Sequence, residues 1–235
     1  MPQSYAELSA FLEYKLQLGL QPIALAYVTE APQDIPRVRA VAPSSCAFWR
    51  QAEVEVFYAS AADHFKCPLG ASVLGFSLPD QQTRELREEL EIMCGMSYIR
   101  AAEVEHLPKV ARSFEGIVYG ALHHFPLEPD AVLLWVTPRQ AMTISEACGL
   151  TNWASTPGGL LGRPACAAIP VAMSQGEPSV SLGCVGMRIN TSIPEEFLLM
   201  VIPRNRLETL EDDLSRVARV HGQMEARYLE RIDSA

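Results

Sequence analysis

Apolar residues recur at helical spacing through Tyr5, Leu8, Leu12 and Leu16, and Ser4 with Glu7 forms a capping-box pattern just ahead of them. The pattern predicts a first helix, stopped by Gly19 and kept from continuing by Pro22. Ile23 to Thr29 reads as a buried strand, followed by a proline-punctuated loop to about Arg37. Glu53 to Tyr58 alternates acidic and apolar residues, as a half-buried strand does. Cys67-Pro68 opens a short helix through Leu74, with proline at the first helical position. Asp80 caps a charged helix whose apolar positions are Leu86, Leu90 and Met93, and a weaker helix covers Ala101 to Leu107.

Beyond these, Gly116 to Leu122 predicts a strand, and the turn Pro126 to Asp130 leads into another at Ala131 to Val136. A helix runs from Pro138 to near Gly149, and the Gly- and Pro-rich stretch from Asn152 to Pro170 reads as a shaped loop. Strands are expected at Ser179 to Gly183 and Glu196 to Ile202, before a long helix over residues 205–232. In that helix Leu207, Leu210, Leu214, Val217, His221, Met224 and Tyr228 form a seam with steps of three and four. The seam reads either as a face packed on the protein's own sheet or as a homodimer contact. The fold class is α+β, with mixed sheets and covering helices in one domain over 1–235. Leu25-Ala26-Tyr27-Val28 resembles Leu133-Leu134-Trp135-Val136, and each is followed by two separated cysteines. Two related halves, 20–125 and 126–204, are one reading of this; chance similarity of strand segments is the other.

Composition narrows the class of protein. The 235 residues are 49% hydrophobic and 20% charged, which excludes a disordered chain or a coiled-coil rod. The longest unbroken apolar runs, Ala131 to Val136 and Phe197 to Ile202, fall far short of a bilayer span of about 20 residues. No basic start with an apolar stretch precedes Tyr5, so a cytoplasmic location is expected. The net charge of −9 argues against nucleic acid or an anionic membrane as partner. A small molecule is the expected ligand.

Six cysteines occur, at 46, 67, 94, 148, 166 and 184, with no C-x-x-C pair among them. A reduced compartment disfavours a disulfide framework, leaving packing, metal ligation or redox chemistry. Cys46, Cys67, Cys166 and Cys184 fall at predicted element ends, where sites tend to be built. Cys67 sits at a helix N-cap, where free N–H groups favour a thiolate, and glycines flank Cys184. Cys94 and Cys148 fall late in helices and read as packing residues. If the other four converge, soft thiolates select an iron–sulfur cluster, with zinc as the alternative. Arg163 and Arg188 lie within a few residues of Cys166 and Cys184, where they could tune a cluster or receive an anionic small molecule. Arg139 and Gln140 are expected to line a neighbouring pocket. His64, three residues before Cys67, is a candidate ligand or base, whereas alternation should send His123 and His124 to opposite faces. No nucleophile elbow, P-loop or dinucleotide fingerprint appears.

The order of Pro22-Ile23-Ala24-Leu25, Cys46, Cys67-Pro68-x-Gly70, Pro129-Asp130-Ala131-Val132, Pro138-x-Gln140-Ala141-Met142, Cys166 and Ser181-Leu182-Gly183-Cys184-x-Gly186-x-Arg188 resembles the DUF169 family of uncharacterised, archaeal cysteine-rich proteins. The resemblance spans residues 7 to 215 or so, and implies that the four cysteines share one site; it implies no reaction. The functional expectation is a metal-binding protein holding an iron–sulfur cluster through these cysteines, with a redox or small-molecule role. Two alternatives stand beside it: a metal-free binding protein or enzyme with a reactive Cys67 and an arginine-lined cleft, and an interaction module with merely packed cysteines.

Overall fold

Two runs, Ile23–Val28 (β1) and Ala131–Val136 (β4), hold the centre of the sheet, and both are apolar at every position because both faces of the sheet are covered. The computed structural model describes residues 4–149 and 164–233. Chain order begins with α1 (Tyr5–Leu16), β1, α2 (Ala47–Gln51), β2 (Phe57–Ser60), α3 (Ala61–His64) and α4 (Pro68–Val73). Next come α5 (Asp80–Gly95), α6 (Ala101–Glu105), β3 (Gly116–Ala121), β4 and α7 (Pro138–Ala147). The chain continues with α8 (Ala168–Gln175), β5 (Ser179–Ser181), α9 (Val185–Thr191), β6 (Leu198–Pro203), α10 (Arg204–Leu207) and α11 (Leu210–Asp233).

The strands form one six-stranded sheet in the order β2-β3-β1-β4-β6-β5. All its strand pairs are antiparallel, where a mixed sheet was expected. Replacing β1, β2 and β3 by β4, β5 and β6 turns this order into its own reverse. Each half therefore contributes three strands in the same arrangement, and β1 meets β4 at the middle through Ile23–Leu133, Ala24–Val132 and Leu25–Ala131.

Alternation along the strands divides the core in two. Leu25, Phe57, Tyr119, Leu133, Trp135 and Val201 face one side, where α2, α4, α8 and α9 lie. Ala24, Val118, Leu134, Met200 and Ile202 face the other, where α1, α7 and the first turns of α11 pack. The α1 capping box forms as the sequence predicts, with Ser4 Oγ accepting from the Glu7 N–H. The helix ends earlier than Gly19, at Leu16, with Gln17 in the left-handed region. The Gln140 amide donates to the Leu16 and Gln17 carbonyls, which satisfies that helix end. At the sheet's middle, Asp130 accepts from the Tyr27 N–H at 2.7 Å and from Arg112 at 2.7 Å, tying the start of β4 to β1.

Other boundaries move too. Residues 52–54 close turns onto α2, so the second strand begins at Phe57 rather than Glu53. Asp80 is the first residue of α5, and Pro79 holds the cap position. The closing helix divides into α10 and α11, and its seam has two fates. Leu207, Leu210 and Leu214 are buried against the sheet, whereas Met224 and Tyr228 are exposed beyond it. His221 pairs with Glu146 of α7.

Truncation after Gly222 should move the thermal midpoint by no more than about 4 °C, roughly 1 kcal/mol. Leu214→Ala should lower stability by about 2–5 kcal/mol. Calorimetry distinguishes the two, and the mass of the truncated chain on a sizing column reads whether the exposed stripe pairs with a second copy.

Candidate functional site

Four cysteines from four separate segments line one cavity of 960 Å³ on the α2/α4/α8/α9 side of the sheet: Cys46, Cys67, Cys166 and Cys184. Local helix geometry places each of them. Cys46, Cys67 and Cys184 are the N-cap residues of α2, α4 and α9, and Cys166 sits in the short 3₁₀ turn Ala165–Ala167 that runs into α8. Pro68 at the start of α4 lacks an N–H that would otherwise go unpaired there. Under the exchange of halves, Cys46 corresponds to Cys166 and Cys67 to Cys184. The cross-contacts follow the same relation: α2 packs on α9, and α4 packs on the turn holding Cys166.

Met187 N–H donates to Cys184 Sγ at 3.4 Å, whereas Cys46 and Cys67 make no side-chain cap hydrogen bond. Ser44 Oγ lies 3.0 Å from Cys46 Sγ. Burial nevertheless dominates. It pushes the Cys46 thiol up to about 11, with Cys67 and Cys184 adding to the rise and the Ser44 hydroxyl opposing it. Burial likewise raises Cys67, against the Gly70 N–H and with Glu89 and Cys184 contributing. Cys166 is raised well above the ordinary thiol range by burial, then by Cys67, Cys46 and Cys184. Each of the four sulfurs is thus within electrostatic reach of the other three.

The cavity walls are mostly apolar, with Leu69, Leu90, Met93, Val104 and Ile189 among them. The helices α5 and α6 make one wall. They are an insertion between α4 and β3, whereas α9 is followed at once by the short link to β6. Two buried hydroxyls beside this cluster have no hydrogen-bond partner: Ser45, which lines the cavity, and Tyr27, which senses Cys166 electrostatically. Such a group costs about 1–3 kcal/mol when left unpaired.

The remaining candidates separate from the cluster. Arg188 lines the cavity, but its guanidinium donates to the carbonyls of Pro194 and Leu182, bracing α9. Arg163 and the stretch from Asn152 to Gly159 lie outside the described residues. Arg139 and Gln140, expected at a neighbouring pocket, do not line this cavity; α7 packs on the opposite side of the sheet. Gln140 instead caps its own helix and holds α1. Cys148 is buried in that far core and pushed up to about 11 by burial. Cys94, half-buried at the end of α5, is not part of the cavity lining. His64 is a core residue: Nδ1–H donates to the Ser60 carbonyl at 2.8 Å and Nε2 accepts from the Tyr119 hydroxyl at 3.1 Å. His123 and His124 fall past the strand in a 3₁₀ turn, so their rings touch instead of diverging. Ser44 and Ser45 were not singled out as site residues, although two small hydroxyl residues directly before Cys46 are a signal of a polar shell around it.

Burial lowers the His64 imidazole from 6.5 to about 4, with the Ser60 carbonyl and Asp63 opposing. Between those values the unfolded chain binds a proton that the folded chain refuses. Stability should therefore fall as pH drops from 6.5 towards 4, by up to roughly 3 kcal/mol. His64→Gln should flatten this slope in denaturant titrations at several pH values. A Cβ on Gly70 would stand 3.0 Å from Cys67 Sγ and 3.1 Å from Ser45 Oγ, whereas one on Gly186 meets nothing within 4 Å. Gly186→Ala should accordingly stabilise the protein by about 0.4–1 kcal/mol. Gly70→Ala should destabilise it and alter the alkylation rate of Cys67; both are read by thermal melts and mass-resolved labelling.

No curated protein and no solved structure matches the chain. A family comparison matches residues 11–213 to DUF169, described as uncharacterised ArCR. That match takes in all four cavity cysteines and most of both halves of the sheet. With it, the chain belongs to the DUF169 family.

Proposed function

We propose that this protein binds an iron–sulfur cluster through Cys46, Cys67, Cys166 and Cys184, and that the rest of the cavity admits a small molecule beside it. The observation that carries this reading is the convergence of four thiols, two from each half, on one cavity. The donor set is all sulfur, which suits iron–sulfur or zinc and not magnesium or calcium. Among the described residues no three His, Cys, Asp or Glu side chains are grouped to hold a single metal ion.

The chain's own residues supply the surroundings. At the cap of α9 the Met187 N–H donates to Cys184 Sγ. Burial favours the neutral thiol at Cys46, Cys67 and Cys166, so ligation by them must release protons. The same burial works against a metal-free reactive Cys67, whose thiol is raised rather than lowered. When bound, a cluster would supply one-electron redox chemistry at a potential set by charge, hydrogen bonds to sulfur and exposure. Arg188 brings positive charge to the cavity wall. The volume of 960 Å³ lies at the upper end of the range for small-molecule pockets, about 300–1,000 Å³.

Protein purified without oxygen, or reconstituted with ferrous iron and sulfide, should be brown and hold iron and acid-labile sulfide in equal amounts. Serine at any one of Cys46, Cys67, Cys166 or Cys184 should lower that content at least severalfold. Cys94→Ser and Cys148→Ser should leave it unchanged. Colourless protein without iron or sulfide after both treatments overturns the reading.

A further inference from the structure

The 16-residue helix α5 carries an apolar stripe, yet none of its residues is buried. An amphipathic helix ordinarily covers such a stripe with the rest of its own protein. Here Leu90 and Met93 of the stripe line the cavity, and Val104 and Leu107 carry the same wall onward past α6. The apolar side of the arm therefore looks onto open volume.

Among the described residues three charged side chains line that volume: Glu89, Glu103 and Arg188. Two of them are engaged. Glu103 pairs with Arg100, and the Arg188 guanidinium donates to the Pro194 and Leu182 carbonyls. Glu89 has no hydrogen-bond or ion-pair partner among the described residues. Its charge reaches Cys67 and helps to raise that thiol, which places the carboxylate on the side of α5 turned towards the cysteines. Desolvation by the wall raises the Glu89 carboxyl from its ordinary value, and no positive group opposes the rise.

A carboxylate set in an apolar wall is best satisfied by a cation that also donates a hydrogen bond. An anion would meet Glu89 unopposed, because the one cation of the described wall already serves two carbonyls. We infer that the cavity takes a small molecule with an apolar body and a protonated amine, the amine pairing with Glu89 and the body lying along Leu90 and Met93. Apolar walls with a single placed polar group are the usual design of such a pocket. The inference rests on the small-molecule part of the reading above and is independent of the cluster. It also reverses the sign of ligand charge that Arg188 suggested in the sequence.

Octylamine, 1-octanol and octanoate share one flexible apolar chain and differ in charge. Calorimetric titration of the full chain with each of the three is the test, on wild type, Glu89→Gln and Glu88→Gln. Both substitutions fall at exposed helix positions and keep a good helix former, so the fold is retained. Wild type should bind octylamine about tenfold more tightly than octanol, and octanoate more weakly than either. Glu89→Gln should bring octylamine to the level of octanol and leave octanol unchanged. Glu88→Gln removes the same charge outside the cavity lining and should behave as wild type. That control separates a contact from the general attraction of an amine to a chain of net charge −9. Equal affinity for the three, or an amine preference that survives Glu89→Gln, overturns the inference and leaves the small-molecule reading intact. Tightest binding of octanoate overturns it in favour of an anionic ligand. Binding of none of the three overturns the inference and the small-molecule reading together, whatever the iron and sulfide content.

Discussion

Antiparallel pairing of β1 with β4 at the centre of the sheet is the constraint on which the rest of the molecule depends. Ile23, Ala24 and Leu25 meet Leu133, Val132 and Ala131, and Asp130 locks the start of the pair through the Tyr27 amide and Arg112. Every strand outward from that pair is laid down in mirrored sequence, β3 and β2 on one side and β6 and β5 on the other. The helices that follow corresponding strands therefore come back over the same face from opposite directions. Cysteines 120 or so residues apart in the chain meet for this reason. The exchange of halves is a property of the topology.

The energetics of the cavity oppose the chemistry its residues suggest, and that opposition is informative. Cys46, Cys67 and Cys166 are held protonated first by burial and then by charge on neighbouring groups. Three of the four nonetheless occupy helix N-cap positions, and one of them, Cys184, accepts from a backbone N–H. A core that needed only small apolar filling would have no use for cap geometry, for an unpaired serine hydroxyl or for a glycine that leaves Cys67 room. An unpaired buried hydroxyl of this kind costs stability in the protein alone.

Local signals in the sequence were sufficient for most elements. The capping box at Ser4 and Glu7, the apolar run from Ala131 to Val136 and the proline at the start of α4 each depend on neighbours in the chain, and each formed. Boundaries set by tertiary contacts were not legible. The end of α1 depends on Gln140, more than a hundred residues away, and the second strand starts late because turns extend α2. The placement of the four cysteines at element ends was legible, whereas the side of the sheet on which α7 packs, which keeps Arg139 and Gln140 away from their cavity, is not written in that helix. Ser45 escaped notice because what distinguishes it is an absent partner, and only packing reveals that.

The α5–α6 arm breaks the mirrored plan, since one half has it and the other has a short link in its place. None of the α5 residues is buried, and the sheet is complete without them. Side chains on this arm can change without disturbing the pairing that brings the sulfurs together. The four cysteines and the wall facing them are thus separable in evolution: the shape of that wall can be rewritten through a single surface appendage.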